Sequence, residues 1–565
     1  MIGLISATAA GAAARDRLAA AWPGRTRVYE GPVGRSVELA FAECDQLVCF
    51  LATGAVVRLI APLLAGKSAD PGVVCVDEGQ RYAVSLLGGH GGGANELAAQ
   101  VADVLGCAPV VTTATDAADV PGLDTLGWPV EGAVAPVTRA VLDGEPVALR
   151  ADAVWPLPPL PGNVGADGDA VLRVTDRVVE PGAREAVLRP PSLVVGVGAS
   201  KNAPLDEVLG LVEETLRDAG LSALSISALA TVDAKAQEPG IVGAAQRLGV
   251  PLVTYAPERL ASITVPNPSG APLAAVGTPS VAEAAALAEG GELLVPKRKS
   301  RTPPGPAGRA AMATCAVVRR APRGRLAVVG VGPGARDLLT PRATRELRRA
   351  AVLVGLDQYV DQIRDLLRPG TRIVESGLGA EEERARTAVA EARAGHAVAL
   401  IGSGDAGVYA MASPALAEAS GDIDVVGVPG VTAALAAAAV LGAPLGHDHA
   451  SISLSDLHTP WEVIERRVRA AAEADIVVTF YNPRSRGRDW QLPKALSILA
   501  EHRDPGTPTG VVRNASRADE SSRVTTLAGL DPATVDMMTV VTVGNTATRE
   551  VAGRMVTPRG YRWQS

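Results

Sequence analysis

Short apolar runs of β character alternate with alanine-rich helical patterns along the entire chain, and this alternation constrains the fold more than any other feature. The runs are bounded by glycine, proline, asparagine or aspartate, as in LVCFL, YAVSLL, LVVGV, AVALI and IVVTFY. Strands that alternate with helices in this way form largely parallel sheets covered by helices. We therefore predict an α/β protein with several doubly wound domains, whose first strand is MIGLIS at the start of the chain.

The composition limits the kinds of molecule that the protein is expected to bind. The chain has 565 residues, of which 47% are hydrophobic and 3% aromatic, a length that suits about three to four domains. A formal net charge of -7 with interspersed signs offers no general attraction to nucleic acid or to an anionic membrane. Apolar stretches stay short of membrane-spanning length, and the charges of the N-terminal segment follow its apolar run, the reverse of a signal peptide. We expect a cytoplasmic protein that binds neither membrane nor nucleic acid.

The cysteines argue against a disulfide framework and against a thiolate metal site. They are five in number and form no C-x-x-C pair. We expect reduced core thiols, and we predict no metal site. The five are Cys44, Cys49, Cys75, Cys107 and Cys315.

Two stretches interrupt the alternation of predicted strands and helices. WPLPPLPGNVGADGDA, residues 155–170, is expected to be a loop or a subdomain joint, and VPKRKSRTPPGPAGRAA, residues 295–311, could be a linker. ATCAVVRR, just after it, is predicted to add one more strand to the preceding domain, so the main boundary is expected near residues 320–325. The predicted domains are residues 1–125, 126–191, 192–322 and 323–565.

The most unusual loop is GGHGGGANE, residues 88–96, which separates the strand YAVSLL from a helix ending at Gly106. Bare backbone lets a ligand approach closely, and N–H groups beside a helix N-terminus favour an anion. The loop lacks the G-K-[ST] ending of a Walker A motif, so a nucleoside triphosphate is not expected.

A second glycine turn opens the C-terminal half, in LAVVGVGPGARDLLTPRATRELRRA. Gly330, Gly332 and Ala335 match the spacing of a dinucleotide-binding fingerprint. In that fold the helix begins inside the fingerprint, whereas here Thr340 is the predicted N-cap and Pro341 the first helical residue. The delayed helix disfavours a dinucleotide.

Four further loops follow predicted strands in this half, and ligands of open α/β sheets bind at the carboxyl ends of strands. These loops could therefore line a single cleft. They are GSGDAGVY (402–409), PGVTAALAAA (429–438), FYNPRSRGR (480–488) and VVRNASR (511–517).

Together with GVGPG, these loops resemble the tetrapyrrole methylases, which bind S-adenosylmethionine between two α/β domains. GLDQYVDQI, LGAPLGHDHASISLSDLHTPWEVIERR and FYNPRSRGRDWQL resemble the precorrin-3B C(17)-methyltransferases of cobalamin biosynthesis in particular. The resemblance covers nearly all of residues 325–565. It implies methyl transfer to ring carbon 17 of a precorrin, contraction of the macrocycle, and a homodimer.

Carried over position by position, the resemblance implies a set of cofactor contacts. Small residues admit the adenine and the sulfonium close to backbone, and a carboxylate can face the positive charge. The implied contacts are Pro333, Ser403, Gly404, Asp405, Val408, Thr432, Ala433, Asn482 and Ala515.

Arginines on the same loops suit a substrate that carries a ring of carboxylates. Arg484, Arg486 and Arg513 are the predicted substrate contacts, although a solvated basic loop would have the same composition. Ring contraction also requires proton movement, for which His447 and Asp448 are the expected acid/base groups.

The N-terminal half resembles the CbiG family of cobalt-precorrin-5A hydrolases. The resemblance lies in LATGAVVRLIAPLL, in the glycine loop and in PVVTTATD, and residues 193–320 resemble the family's carboxy-terminal domain through DAKAQEPGI and LASITVPNPS. It implies opening of a δ-lactone on the contracted ring with release of acetaldehyde. Where a glycine turn with a cysteine and two basic residues is expected, the chain has GVGASKNAP, residues 196–204.

In this half His90 is the predicted general base or carbonyl-polarising group, with Glu96, Asp77 and Arg58 as its partners. Gly91, Gly92 and Asn95 are the predicted substrate contacts. The structural alternative is a glycine turn whose histidine only caps a strand.

The leading hypothesis is a bifunctional enzyme of corrin-ring biosynthesis that uses S-adenosylmethionine and acts on corrin or precorrin intermediates. One alternative makes the N-terminal half a non-catalytic module that holds corrin intermediates. Another is a methyltransferase for a protein or a different small molecule. The sequence leaves open whether the ring already holds cobalt.

Overall fold

The computed structural model describes residues 1–66, 69–301, 311–485 and 487–560. They form two compact units. The first comprises Met1–Ala153 and Leu160–Pro322, and the second comprises Val154–Pro159 and the described residues from Arg323 onwards. Of the stretch predicted as a loop, residues 155–163 carry no helix or strand, whereas one short strand lies at residues 164–165 and another begins at residue 170.

The first sheet has six strands. These are β1 (Ile2–Ser6), β2 (Thr26–Tyr29), β3 (Gln46–Phe50), β4 (Gly72–Val76), β5 (Tyr82–Leu87) and β6 (Ala108–Val110). Its helices are α1 (Ala9–Ala21), α2 (Val33–Glu43), α3 (Thr53–Ile60), α4 (Ala94–Leu105) and α5 (Ala114–Ala117). The order is β2-β1-β3-β4-β5-β6, and β5 runs antiparallel to β4 while the other pairs are parallel. The predicted first strand and the helix ending at Gly106 are confirmed.

A small second sheet follows. Its strands are β7 (Val130–Gly132), β8 (Val147–Ala151), β9 (Val164–Gly165), β10 (Ala170–Val174) and β11 (Glu185–Leu188), and its helix is α6 (Val134–Leu142). The order is β7-β11-β10-β8-β9, in which β7 and β11 are antiparallel and the other pairs parallel.

The third sheet has the order β14-β13-β12-β16-β15. Its elements are β12 (Leu193–Ala199), α7 (Leu205–Asp218), β13 (Ile226–Val232), α8 (Pro239–Leu248), β14 (Leu252–Tyr255), α9 (Pro257–Ala261), α10 (Gly270–Val276), α11 (Ala282–Leu287), β15 (Glu292–Lys299) and β16 (Ala313–Arg319). The strand predicted from ATCAVVRR is confirmed as β16, which pairs with β12 and β15. The linker expected at residues 295–311 is wrong for residues 295–299, because they belong to β15. This edge strand tolerates Pro296 beside a register shift. Residues 302–310 lie outside the described part of the chain.

The fourth sheet is parallel throughout, in the order β19-β18-β20-β17-β21. Its elements are β17 (Arg325–Gly330), α12 (Pro341–Arg349), β18 (Val352–Leu356), α13 (Asp357–Ile363), β19 (Arg372–Ser376), α14 (Glu381–Arg393), β20 (Ala397–Gly402), α15 (Ala412–Glu418) and β21 (Asp424–Val428). The delayed helix start is confirmed. Thr340 is the N-cap of α12 and accepts from the Ala343 amide at 3.1 Å, with Pro341 in the first turn.

The fifth sheet is mixed, in the order β23-β24-β27-β25-β26, with β23 and β24 parallel and the remaining pairs antiparallel. The last elements of the chain are α16 (Ala433–Leu441), β22 (Gly442–Ala443), β23 (His449–Ser453), α17 (Trp461–Glu473), β24 (Val477–Tyr481), α18 (Gln491–Ala500), β25 (Pro508–Arg513), β26 (Ser521–Thr526), β27 (Thr539–Val543), β28 (Arg549–Val551) and β29 (Arg554–Val556). β22, β29 and β28 form a separate small sheet.

Helices cover both faces of the larger sheets, which confirms the predicted α/β class. The first, third and fourth sheets each carry two distinct buried clusters. Four of the cysteines are buried within such cores, and all five are free thiols. Among the described residues, no helix is both long and apolar enough to cross a membrane.

Candidate active sites

Three loops of the fourth sheet meet at the carboxyl ends of neighbouring parallel strands. They follow β17, β20 and β21, which lie side by side. Gly332 and Gly404 exchange two backbone hydrogen bonds, with N···O distances of 3.0 and 2.8 Å. The loops predicted separately from GVGPG, GSGDAGVY and PGVTAA therefore form one assembly.

Close backbone packing explains the glycines of this assembly. A Cβ at Gly430 would lie 2.1 Å from the carbonyl oxygen of Gly404, and one at Gly330 would lie 2.7 Å from the same atom. Real side chains do not approach backbone so closely, so these positions accept only glycine without a shift of the loops. Their glycines serve the contact between loops.

Asp405 joins two of the loops through its carboxylate. One oxygen accepts from the amide of Gly407 at 2.8 Å and the other from the amide of Gly430 at 2.9 Å. Charge-assisted bonds of this kind are strong. One oxygen thus closes the GSGDAGVY loop and the other joins it to the PGVTAA loop, while the cofactor contact that the resemblance implies at Asp405 stays a prediction.

Tyr481, at the end of β24, connects the fifth sheet to the start of α16. Its hydroxyl lies 2.6 Å from Oγ1 of Thr432 and accepts from the amide of Ala434 at 2.8 Å. The ring of Tyr409, from the GSGDAGVY loop, packs 5.3 Å from the ring of Tyr481. Sequence reasoning missed Tyr481, although it directly precedes Asn482 in the FYNPRS motif.

The remaining predicted cofactor residues lie on loops that contact one another within the same unit. Arg517 donates to the carbonyl of Pro333 at 3.0 Å, and Ser516, beside Ala515, accepts from the Ala335 amide at 3.2 Å. Asn482 donates to Oγ of Ser453 at 3.2 Å. The structure thus brings the VVRNASR loop onto GVGPG and places Asn482 next to Tyr481. Ser403 and Val408 lie in the GSGDAGVY loop, which carries Gly404.

The Ser403 side chain has a hydrogen-bonding partner in Tyr359, at α13. Burial raises the pKa of Tyr359, and the charge of Arg517 together with the bond to Ser403 offsets part of that effect. Tyr359 therefore stays protonated at neutral pH.

The arginines predicted for substrate already have partners in the protein. Arg513 pairs with Asp536 at 2.7 Å and with Asp519 at 3.1 Å, and Arg484 donates to the carbonyl of Ala533 at 2.8 Å. Hydrogen bonds to the two aspartates raise the pKa of Arg513 above its ordinary value. These acceptors occupy only part of each guanidinium group, and the substrate contacts at Arg484 and Arg513 stay a prediction. Arg486 lies outside the described residues.

His447 and Asp448 form an exposed pair of neighbours. The Asp448 amide donates to Nδ1 of His447 at 2.7 Å, and the same nitrogen lies 3.3 Å from the Asp448 carboxylate. The pair precedes β23 and is open to solvent. This position is compatible with acid/base catalysis by the pair and gives no independent support for it.

In the first unit, the glycine loop packs against the start of β4. A Cβ at Gly72 would lie 2.3 Å from the carbonyl oxygen of Gly92, and one at Gly92 would lie 2.6 Å from the amide nitrogen of Gly72. The Gln46 side chain also donates to the Gly92 carbonyl at 3.0 Å. Gly92 is thus required by packing, while Gly91 is exposed.

The first amides of α4 are occupied inside the loop. Those of Gly93, Ala94 and Asn95 donate to carbonyls of residues 88–90 at 2.8–3.1 Å. An amide that already donates to a carbonyl is not available to a ligand. These three amides are therefore not available to an anion, and an anion site on the rest of the loop stays a prediction.

Polar side chains near the loop form a network around His90. Its Nε2 lies 2.8 Å from Oγ1 of Thr115 and 3.5 Å from the Asp116 carboxylate, and the imidazole is largely enclosed. Asn95 donates to Asp116 at 2.8 Å and to Thr113 at 3.0 Å. His90 thus has an acidic neighbour, and Asn95, predicted as a substrate contact, holds that neighbour in place.

Sequence reasoning missed Thr113, Thr115 and Asp116. They lie in the TTATD run after β6, which is parallel to β5, so both strands end at the same edge. A cluster of polar residues after the neighbouring strand was the signal that could have identified them.

Two predicted partners of His90 lie elsewhere. Asp77 follows β4, which runs antiparallel to β5, so it lies at the opposite edge of the sheet from the glycine loop. There it accepts from the amides of Arg81 and Tyr82 at 2.8 and 2.7 Å. Burial opposes ionisation of Asp77, but these bonds outweigh it and lower the pKa of its carboxyl. Arg58 belongs to α3, which follows β3 and begins at that same opposite edge.

Glu96 is at the first turn of α4 and is exposed. A carboxylate at that position stabilises the helix through its dipole. Among the described residues, Glu96 does not contact His90. The acidic side chain beside His90 is that of Asp116 instead.

In the third sheet, the turn GVGASKNAP meets the segment DAKAQEPGI. Glu238 is buried, accepts from the Asn202 amide and pairs with Lys235 at 3.2 Å. Lys201 is exposed. Glu238 therefore joins the turn to the DAKAQEPGI segment. In the described part of the chain, no three His, Cys, Asp or Glu side chains are placed to hold a metal ion.

Three family models match the chain. Residues 325–531 match Tetrapyrrole (Corrin/Porphyrin) Methylases, residues 35–116 match the N-terminal domain of cobalamin synthesis G, and residues 193–318 match its C-terminus. The methylase match contains all five of the loops described above in this half of the chain.

Individual relatives match the methylase half. A protein of Salmonella typhimurium named probable cobalt-factor III C(17)-methyltransferase is 46% identical over 239 residues, which cover 42% of this chain and 99% of the relative. A precorrin-3B C(17)-methyltransferase of Sinorhizobium sp is 41% identical over 250 residues, covering 42% of this chain and 97% of the relative. The solved structure of the methyltransferase CobJ is 40% identical, covers 42% of this chain and 100% of that chain, and has a TM-score of 0.40.

The chain therefore belongs to the tetrapyrrole methylase family, and it joins that methylase to both domains of cobalamin synthesis G. Other relatives are longer proteins, and this chain spans 46% and 48% of two of them.

Proposed function

We propose that the C-terminal half methylates ring carbon 17 of precorrin-3B or its cobalt form, with contraction of the ring, and that the N-terminal half opens the lactone of cobalt-precorrin-5A. Membership of the methylase family and the names of the two fully covered relatives support the first activity. The two cobalamin synthesis G matches support the second. The observation that carries the proposal is the presence of all three regions on one chain.

S-adenosylmethionine supplies the methyl group as an electrophilic sulfonium. The residues around the loops fit such a cofactor, because Thr432 and Ala433 present small side chains and Tyr409 keeps an exposed aromatic face beside Tyr481. A flat adenine packs well on such surfaces. Asp405 and Tyr481 contribute by holding the loops in one arrangement before the cofactor binds, which reduces the entropy lost on binding.

In the hydrolase half, His90 accepts a proton from the attacking water. The carboxylate of Asp116, 3.5 Å from Nε2, stabilises the imidazolium that forms. Thr115 fixes the ring through its hydroxyl. Acetaldehyde leaves after the lactone has opened, and the macrocycle keeps the carboxylate.

We further propose that the chain has domains at residues 1–125, 126–191, 192–322 and 323–565. We also propose that it forms a homodimer through the methylase half and is located in the cytoplasm. Light scattering of the purified full chain tests the dimer, since a monomeric mass at all concentrations would exclude it.

The methyltransferase assay uses the full chain with precorrin-3B or cobalt-factor III and methyl-labelled S-adenosylmethionine. Transfer of one labelled methyl group to the ring, followed by mass spectrometry and NMR at carbon 17, is the expected result. Labelling at a different ring carbon would contradict the proposed site of methylation.

A further inference from the structure

A cavity of about 630 Å³ opens in the first unit, beside the second sheet. Four arginines line it, and Asp152 is the acidic residue of its wall; the four are Arg150, Arg173, Arg177 and Arg319. Most of the wall, residues 149–152 and 173–179, lies between the two matched cobalamin synthesis G regions and belongs to neither. This volume is within the range of small-molecule sites.

The register of the sheet places two of these arginines directly opposite each other. Arg150 on β8 is the partner of Arg173 on β10 in a parallel pair. Like charges facing each other across strands destabilise a sheet. Glu185 compensates the charge of Arg173, so Arg150 is the member of this pair whose charge a bound anion would offset.

The four arginines divide into two kinds. Arg319 is held by Asp176 through two bonds of 2.6 and 2.7 Å, and Arg173 pairs with Glu185. The guanidinium groups of Arg150 and Arg177 are exposed and form no ion pair or hydrogen bond within the described part of the chain. The ion pairs hold Arg173 and Arg319 in place as part of the cavity wall. The positive charges of Arg150 and Arg177 are available to a ligand.

We propose that this cavity binds carboxylate groups of a polycarboxylate ligand through Arg150 and Arg177, against the wall formed by Arg173 and Arg319. Arginine forks bind carboxylates with two parallel hydrogen bonds, and several carboxylates on one scaffold suit several arginines on neighbouring strands. If the proposed function holds, the ligand is the acidic rim of the macrocyclic substrate.

The test uses the full chain and uroporphyrin III, an octacarboxylate macrocycle, titrated by fluorescence at low and high salt. The variant is Arg150→Gln with Arg177→Gln, two exposed positions. The matched control is Arg247→Gln, an exposed arginine of α8 in the same unit. We expect binding to weaken at least about tenfold in the double variant, to stay within about twofold in the control, and to weaken with salt.

Equal affinity of the double variant and the unmodified chain would overturn the proposal, as would a failure of the unmodified chain to bind the porphyrin. A tetracationic porphyrin of similar ring size should not compete, and competition would show that the ring alone is recognised. Methyl transfer and acetaldehyde release are measured on the same samples. Their absence together with arginine-dependent binding would reject the proposed function but keep the carboxylate site.

Discussion

The hydroxyl of Tyr481 lies 2.6 Å from Oγ1 of Thr432, so a strand of the fifth sheet holds the N-cap of the helix that follows the PGVTAA loop. Tyr481 also accepts from the amide of Ala434. The start of α16 thus depends on a single phenol from another sheet.

Tyr481→Phe is predicted to weaken binding of S-adenosylmethionine about threefold to tenfold. The ring contact with Tyr409 is kept, but the Ala434 amide loses its acceptor, at a cost of about 1 kcal/mol. Isothermal titration calorimetry measures the change. Tyr409→Phe is the control, because it removes only a bond to the Ser451 carbonyl. Unchanged affinity in Tyr481→Phe would show that the bridge is not needed.

Gly430→Ala is predicted to abolish methyl transfer. The new methyl carbon would lie 2.1 Å from the Gly404 carbonyl oxygen, so two cofactor loops must separate. Gly427→Ala is a matched control three residues earlier, where nothing lies within 4 Å of an added Cβ. Methyl transfer to the ring is compared after circular dichroism has shown that both variants fold. Full activity of Gly430→Ala would contradict the described loop assembly.

Asp405→Asn is predicted to destabilise the second unit by about 1–3 kcal/mol. An amide nitrogen in place of one carboxylate oxygen would face the N–H of Gly407 or Gly430, and two donors cannot bond to each other. Calorimetric unfolding should show a lower transition for this unit. The control Asp365→Asn removes an exposed partner of Arg336 and should change stability by about 1 kcal/mol or less. Equal effects of the two substitutions would argue against the role of Asp405.

The thiols are predicted to react very unequally. Burial raises the pKa of Cys75 to about 12 and that of Cys315 to about 11, and it raises the pKa of Cys49 further. The reactive thiolate is therefore absent from these side chains at pH 8. Titration with a chromogenic disulfide should detect no more than the partly exposed Cys107 in the native protein and all five thiols in denaturant. Rapid reaction of several thiols before unfolding would contradict this packing.

The raised pKa values of the buried thiols make the free energy of unfolding depend on pH. An unfolded chain ionises its thiols above their ordinary pKa, whereas the folded chain keeps them neutral until a higher pH is reached. The contribution of these groups to stability is therefore complete below about pH 8.5 and falls as the pH rises above it.

The sequence was sufficient for local structure. YAVSLL, the helix ending at Gly106 and the cap at Thr340 depend on periodicity and on residues near one another in the chain, and all three are confirmed. The same local signals placed the loops of the methylase half at strand ends.

The direction of each strand relative to its neighbours could not be predicted from the sequence. Whether β5 runs with or against β4 depends on contacts between distant residues, and the antiparallel arrangement moves the glycine loop away from Asp77. The parallel pairing of β5 with β6 brings Asp116 to His90, a neighbour 26 positions further along the chain. Hydrogen bonds that close the loop on itself also cannot be predicted from a glycine-rich sequence, and they occupy three of the amides predicted for an anion.

Asp116→Asn is predicted to slow lactone hydrolysis by about 10- to 100-fold, because it removes the charge that stabilises a protonated His90. Asp103→Asn, at an exposed position of α4, is the control. The initial rate of acetaldehyde formation is the measurement. A rate unchanged by Asp116→Asn would leave His90 without its acidic partner in the mechanism.

Acetaldehyde release by the full chain supplied with cobalt-precorrin-5A decides whether one chain carries two enzymes. We expect stoichiometric release that is lost in His90→Ala, while methyl transfer by the same variant is unchanged. Tight binding of the substrate without release would contradict this expectation, and the N-terminal half would then be a module that holds corrin intermediates.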